Sequence, residues 1–190
     1  MNAPFTTHTG IAAPLRRDNI DTDQIIPSRE MKTVSKTGLA DGMFAGQRYL
    51  EGRTPDPDFV LNRPEFRSAT VLLGGLNFGC GSSREHAVWA LKEYGIRAVV
   101  APSFGEIFHG NMIGNGLLPI QLSGETIDRL PRTVEIDLPA QTISGHRFEI
   151  DPGAKRRLVE GLDAIAETLQ ERDVIEAWLV KDEEARPWVY

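Results

Sequence analysis

A glycine-rich segment between an apolar run and a helical pattern constrains the fold of this chain more than any other feature. Residues 69–76 form a short apolar run that contains β-branched residues, which predicts a buried strand. The turn Asn77-Phe78-Gly79-Cys80-Gly81 follows. Ser82 and Glu85 then fit a capping box, with Ser82 at the N-cap and Glu85 at N3, and open a helix that Gly95 ends. This order is typical of layered α/β folds.

The downstream pattern continues to alternate strands and helices. We predict strands at 96–101, 118–122, 133–137 and 146–150, and helices after a second capping box at 103–106, near 151–160 and near 173–182. Successive strands joined by helices imply right-handed crossovers and neighbouring parallel strands. The predicted fold class is therefore α/β, with a partly parallel mixed sheet flanked by helices.

The length of 190 residues predicts a single domain that can bury a core of its own. Glycine and proline recur through residues 14–64, so loops and short strands are expected to dominate the N-terminal third, residues 1–68. Residues 69–150 are expected to form the strand-helix core and residues 151–190 to supply C-terminal helices.

One cysteine and a formal net charge of −6 exclude several functions. A single thiol cannot form a disulfide, a thiolate zinc site or an iron-sulfur cluster within the chain. An acidic surface argues against general nucleic-acid binding, and the uncharged stretch 107–124 is too rich in glycine for a membrane span. The N-terminus lacks the basic and apolar regions of a signal peptide, which predicts a cytoplasmic enzyme.

The glycine turn has the features of an anion site, because the first N–H groups of a helix are unpaired and attract negative charge. It is not a Walker loop, since Cys80 stands where lysine is required, nor a dinucleotide fingerprint, since Arg84 occupies the third glycine position. Two hydroxyls, Ser82 and Ser83, and the Arg84 guanidinium suit a small carboxylate. A helix cap without any function explains the same spacing, and Cys80 is either a reactive thiol or a packed turn residue.

Residues 77–87 closely resemble the signature of the mobile swivel domain in the aconitase superfamily, with the sequence Asn77-Phe78-Gly79-Cys80-Gly81-Ser82-Ser83-Arg84-Glu85-His86-Ala87. Around this run the chain is similar, over almost its full length, to the small subunits of bacterial 3-isopropylmalate dehydratases. The supporting segments are 19–27, 57–62, 101–104 and 115–119. The resemblance implies an aconitase-type swivel domain, layered β/β/α.

The same resemblance implies a hydro-lyase of leucine biosynthesis that interconverts 2- and 3-isopropylmalate through isopropylmaleate. The small subunit binds no cofactor itself, and a large-subunit partner holds a [4Fe-4S] cluster whose open iron acts as a Lewis acid. Carried over residue by residue, Ser82 matches the catalytic serine, Ser83 and Arg84 match ligands of the substrate carboxylate, and Asp23 matches an active-site aspartate. Arg29 and Lys32, with Lys36, compete for the role of a further arginine.

Two other functions stay open at this point. A sister hydro-lyase acting on citraconate, 2-methylmalate or dimethylmaleate would share the signature and differ in the pocket for the alkyl group. The loop at residues 31–46, the counterpart of the one that controls substrate choice in the family, does not decide between them. A non-catalytic carboxylate-binding module would retain the anion site without turnover.

Overall fold

The computed structural model describes residues 2–31, 35–81 and 84–189. Within these residues seven strands form one sheet, in the order β4-β3-β2-β1-β5-β6-β7. Strands β1 to β4 pair in parallel, and β5, β6 and β7 extend the sheet in antiparallel fashion from β1. The strands are β1 (Thr7–Pro14), β2 (Ala69–Leu73), β3 (Ala98–Ala101), β4 (Leu118–Gln121), β5 (Thr133–Asp137), β6 (Thr142–Ile143) and β7 (His146–Arg147). The predicted mixed, partly parallel sheet is confirmed.

Helices connect the parallel strands and cover the sheet. The α-helices are α1 (Thr22–Ile25), α2 (Ala45–Arg48), α3 (Glu85–Tyr94), α4 (Glu106–Gly114), α5 (Gly124–Asp128), α6 (Pro152–Glu160), α7 (Ala164–Gln170) and α8 (Arg172–Ala185). Short 3-10 helices occupy Ser28–Glu30, Ala40–Gly42, Glu51–Arg53, Val60–Asn62 and Pro64–Phe66. Helix α3 joins β2 to β3, and α4 joins β3 to β4, as the alternating pattern predicts.

The end of α3 confirms its predicted stop signal. Gly95 has φ of 109° and donates its N–H to the carbonyls of Leu91 and Lys92. Glycine adopts this left-handed backbone conformation without steric strain, because it has no Cβ. The chain therefore leaves the helix at Gly95 and runs directly to β3.

Both predicted capping boxes are wrong. The N-cap of α3 is Arg84 rather than Ser82, and the Glu85 side chain accepts a hydrogen bond of 2.8 Å from the Asn115 amide. The N-cap of α4 is Gly105, and the Ser103 hydroxyl accepts a hydrogen bond of 2.8 Å from the main-chain N–H of Asn77. The side chains of Glu85 and Ser103, which the sequence pattern assigns to local caps, thus form hydrogen bonds with residues of other segments.

Loops and short strands were expected in residues 1–68, but sequence patterning assigned no position to strand β1. It lies between β2 and β5, pairing in parallel with the first and antiparallel with the second. Only Ala12 and Ala13 within it are buried, and Gly10 and Pro14 interrupt its apolar pattern. A strand with so little hydrophobic alternation carries a weak local signal, although it is central in the sheet.

The sheet separates two hydrophobic clusters. Leu72 of β2 lies in one cluster with Leu91 of α3, whereas its neighbour Val71 lies in the other with Ile136 of β5 and Leu158 of α6. Successive side chains of a strand point to opposite faces, so β2 is buried on both sides. No helix in the described part of the chain is both long and apolar enough to cross a membrane.

Candidate active site

The glycine turn after β2 is fixed on one side by the segment that leads into α1. The N–H of Gly79 donates to the carbonyl of Ile20 at 2.7 Å, and the N–H of Thr22 donates to the carbonyl of Cys80 at 3.0 Å. Asp21 and Cys80 form an isolated parallel bridge. These main-chain bonds, together with a side-chain hydrogen bond of 2.9 Å from Asn77 to Asn19, align the turn with the start of α1.

A second segment fixes the opposite side of the turn. The N–H of Phe78 donates to the carbonyl of Ser103 at 3.0 Å, and the N–H of Gly105 donates to the carbonyl of Phe78 at 2.9 Å. The turn therefore runs between the segments that precede α1 and α4, like a short strand between two neighbours. Because main-chain hydrogen bonds hold the turn on both sides, its conformation depends on two segments that are distant from it in the sequence.

Two glycines in this region have no room for a side chain. Gly79 has φ of 75°, and a Cβ at this position would lie 2.2 Å from the Phe108 ring. A Cβ on Gly105 would lie 2.6 Å from the carbonyl oxygen of Gly79. The requirement for glycine is steric at both positions, and at Gly79 it is also conformational.

Arg84 and Asp23 meet at the end of the turn. The Arg84 guanidinium at the N-cap of α3 forms an ion pair with the Asp23 carboxylate in α1. Their side chains are 26% and 56% exposed, so the pair is open to solvent. The Ser28 hydroxyl donates to the same carboxylate oxygen of Asp23 at 3.3 Å. Two of the predicted site residues are therefore brought together.

Three other predicted site residues lie outside the described residues: Ser82, Ser83 and Lys32. Arg29 lies in the 3-10 helix Ser28–Glu30, with a side chain that is 67% exposed. Its Nε lies 3.6 Å from the Glu30 carboxylate. Among the described residues, no hydrogen bond or ion pair joins Arg29 to Asp23 or Arg84, so the structure does not bring it to the pair.

Cys80 and His86 are two further residues of the signature with reactive side chains. Cys80 is a partly buried free thiol in the turn. The His86 ring packs against Trp89 one turn further along α3, with ring centroids 4.7 Å apart. The described ranges contain no group of three His, Cys, Asp or Glu side chains placed to hold a metal ion. The donor set of this chain does not fit an iron-sulfur cluster.

Glu93, in the last turn of α3, is a residue that sequence reasoning missed. Its carboxylate accepts hydrogen bonds from the consecutive N–H groups of Gly38, Leu39 and Ala40. These bonds, that of Gly38 above all, hold the pKa of Glu93 below its usual value. A glutamate near a helix end gives no sequence signal for such a contact, because its partners are main-chain groups 53–55 positions away.

Comparisons with known proteins agree with this geometry. Residues 2–125 match the model of the aconitase C-terminal domain family. The chain belongs to this family. A 3-isopropylmalate dehydratase small subunit from Cupriavidus necator is 55% identical, over 98% of both chains. The small subunit of the same enzyme from Rhodopseudomonas palustris strain HaA2 is 48% identical, over 97% of this chain and 98% of that one.

A solved structure extends the family relationship to the fold. The crystal structure of a 3-isopropylmalate dehydratase from Methanocaldococcus jannaschii has 34% sequence identity and a TM-score of 0.68 with this chain. The match covers 90% of this chain and 98% of that one. The predicted aconitase-type fold and the predicted resemblance to the dehydratase small subunits are both confirmed.

Proposed function

We propose that this chain is the small subunit of a 3-isopropylmalate dehydratase. The reaction interconverts 2- and 3-isopropylmalate through isopropylmaleate, by loss and return of water, in leucine biosynthesis. The observation that carries the proposal is the Arg84–Asp23 ion pair at the exit of the glycine turn. It lies in a chain that shares 55% identity, over 98% of its length, with a small subunit of that name.

Arg84 is the residue that we assign to a substrate carboxylate. Its guanidinium offers parallel N–H donors that match two carboxylate oxygens. It lies at the N-cap of α3, where the first N–H groups of the helix add positive potential. The Asp23 carboxylate forms an ion pair with this guanidinium, and we infer that Asp23 keeps it oriented when the acid binds.

We assign the proton transfer to Ser82 and a second carboxylate contact to Ser83. Dehydration breaks a C–H bond beside a carboxylate, forms the C=C bond and expels the hydroxyl group from the neighbouring carbon. The Ser82 alkoxide would take the proton. A helix N-terminus stabilises such an anion by at most about 2 kcal/mol, which is roughly 1.5 pKa units. Arg84 and the partner subunit must supply the rest.

The partner that we propose is a large subunit carrying the [4Fe-4S] cluster. This chain has a single cysteine and cannot ligate such a cluster by itself. The active site would then be shared, with this chain providing the serines, Arg84 and Asp23. We expect no turnover from the isolated chain, and a cytoplasmic location.

Reconstitution with a candidate large subunit under anaerobic conditions tests the function. We expect turnover of 2-isopropylmalate in preference to citraconate and citrate, and at least a 1000-fold loss of kcat in Ser82→Ala with assembly intact. Ser68→Ala is a matched control, since Ser68 is exposed just before β2, at the end of the strand away from the glycine turn. A preference for citraconate, or full activity of Ser82→Ala, would contradict the assignment.

A further inference from the structure

The C-terminal helices hold most of the exposed apolar surface of this protein. Of the twelve large hydrophobic side chains that are exposed in the described part of the chain, nine lie within residues 165–189. They include two tryptophans, Trp178 and Trp188, which are 54% and 78% exposed. Single exposed apolar residues are common on protein surfaces, but a concentration of this kind marks a binding surface.

On α8 the exposed apolar side chains form a continuous stripe. Val174 and Trp178 are four positions apart, as are Ile175 and Leu179, so the two pairs lie in adjacent rows along one side of the helix. We call these four residues the α8 stripe. None of the residues of α8 is buried, so the stripe contributes little to the core of the chain.

The neighbouring helix α7 adds an open groove to this surface. Helix α8 packs against α7. Ile165 and Leu169 of α7 are 74% and 61% exposed and line a groove of about 490 Å³. The stripe and the groove are therefore neighbouring apolar features of the same pair of helices.

Residues 163–184 also carry the whole net charge of the protein. They contain eight acidic and two basic side chains, a balance of −6, which equals the formal net charge of the full chain. One of the two basic residues, Arg172, pairs with Glu176 in the same helix. The apolar stripe is thus bordered by a strongly acidic surface.

This charge indicates which occupant fits the stripe. A second copy that paired through the same surface would bring two charges of −6 together, and like charges across an interface cost free energy. Nucleic acids and the cytoplasmic leaflet of a membrane are themselves anionic. The chemistry favours a protein that offers an apolar groove bordered by lysine and arginine.

The large subunit of the proposed enzyme is a protein that has to stay bound for a shared active site to work. Asp163, the N-cap of α7, lines the same cavity as Trp89 and Glu93 of α3. Arg84 of the proposed site is the N-cap of this ten-residue helix, which is about 15 Å long. A standard interface covers about 800 Å² of each partner and is wider than this length. One partner can therefore reach both the site and α7.

We propose that the α8 stripe, with the groove of α7 beside it, is a docking surface for an apolar groove with a basic rim on the large subunit. This inference rests on the proposed function and deepens it, because it assigns the assembly of the complex to helices that hold none of the proposed site residues. Since α8 has no buried residue, its side chains can be changed without loss of the fold.

The test is the Kd between the full-length small subunit and a purified candidate large subunit, measured by isothermal titration calorimetry. We expect Trp178→Glu to raise Kd at least 30-fold and Val174→Glu at least tenfold, because each places a charge in an apolar contact. Val180→Glu is the matched control and should stay within threefold. Val180 is 60% exposed but lies about 200° around α8 from Trp178.

The charge of the partner is tested by reversing two acidic residues. Glu183 and Glu184 are exposed in α8. The double variant Glu183→Lys, Glu184→Lys should raise Kd at least tenfold at about 50 mM salt and less than threefold at about 500 mM, because salt screens exposed charges. Glu125→Lys in α5 is the control and should leave Kd within threefold at both concentrations.

Three results would overturn the proposal. They are an unchanged Kd in Trp178→Glu, an equal loss of affinity in Val180→Glu, and an unchanged Kd in the charge-reversal variant at low salt. Sedimentation velocity of the small subunit alone tests the other occupant. A dimer that Trp178→Glu dissociates, while the Kd for the large subunit stays unchanged, would assign the stripe to a second copy and overturn the proposal as well.

Turnover separates this inference from the proposed function. At saturating large subunit the Trp178→Glu complex should reach a kcat within twofold of the wild-type value, because no proposed site residue is changed. A wild-type complex that forms but does not turn over isopropylmalate refutes the function, and the Kd comparison still decides the docking surface. An active wild-type complex with the same Kd in Trp178→Glu refutes only the docking surface.

Discussion

The guanidinium of Arg84 and the carboxylate of Asp23 form an ion pair across 61 positions of the sequence. The pair links the start of α3, which follows the glycine turn in the chain, to α1, whose preceding segment pairs with the turn. Because both side chains are partly exposed, the pair contributes at most about 1 kcal/mol to folding. The role that we propose for the pair is therefore to orient Arg84 rather than to stabilise the fold.

Asp23→Asn is expected to separate these two roles. The variant keeps the shape of the side chain and removes its charge, so the melting temperature should stay within about 4 °C of the wild-type value. KM for 2-isopropylmalate should rise about tenfold, since Arg84 loses the group that orients it. A large drop in melting temperature with an unchanged KM would show that the pair is structural.

Arg84→Lys tests the geometry of the proposed carboxylate contact. Lysine keeps the charge but lacks the planar pair of donors, so we expect at least a tenfold loss in kcat/KM. Arg129→Lys on the exposed surface of the molecule is the control and should have wild-type activity. Full activity of Arg84→Lys would mean that charge alone is sufficient.

Gly79→Ala should prevent the turn from forming. The added Cβ would lie 2.2 Å from the Phe108 ring, at a residue with φ of 75°. The clash with the Phe108 ring and the strain of a left-handed alanine together should lower the free energy of unfolding by about 2–4 kcal/mol, measured by urea denaturation.

Gly110→Ala is the matched control, because nothing lies within 4 Å of its Cβ position in α4. It should stabilise the protein by up to about 1 kcal/mol.

His109 gives the stability a defined pH dependence. Burial lowers the pKa of this residue, so the folded state disfavours the protonated ring. The contribution of His109 to the free energy of unfolding is therefore complete at a pH above about 6.5, the pKa of histidine in the unfolded chain. This contribution decreases as the pH falls below that value, because the unfolded chain binds the proton first. The free energy of unfolding should fall less between pH 7 and pH 5 in His109→Gln than in the wild type. Equal slopes would contradict this assignment.

The helix α8 should be dispensable for the stability of the isolated chain. None of its residues is buried, and Val174, Trp178 and Val180 are exposed. Removal of residues 171–190 should therefore change the melting temperature by less than about 4 °C, measured by differential scanning calorimetry. A larger decrease would show that α8 stabilises the core.

The sequence predicted those elements whose signals are local. The stop of α3 at Gly95 and the strand at 133–137 depend on residues close by in the chain, and both are confirmed. The capping boxes failed because Glu85 and Ser103 bond to groups about 30 positions distant. Strand β1 was missed because its pairing, rather than its hydrophobic pattern, determines it.

The site was predicted in a different way from the fold. Spacing alone indicated an anion site at the helix start, and the resemblance to a family assigned Arg84 and Asp23 to the site, but neither predicted that these two residues pair. No periodicity connects two residues in different elements, because their proximity depends on how the turn runs between its neighbours. Glu93 was missed for the same reason, since its partners are N–H groups that every residue except proline has.

The main-chain pairing of the glycine turn has a consequence for how such a site can evolve. The carbonyls of Ile20 and Ser103 accept main-chain hydrogen bonds from the turn, and a change of side chain at either residue leaves these acceptors in place. Side chains pointing outward from the frame are free to change without loss of its shape. Duplicated copies of a gene like this one could therefore acquire preferences for different acids by a few point mutations, while the scaffold beneath them is inherited intact.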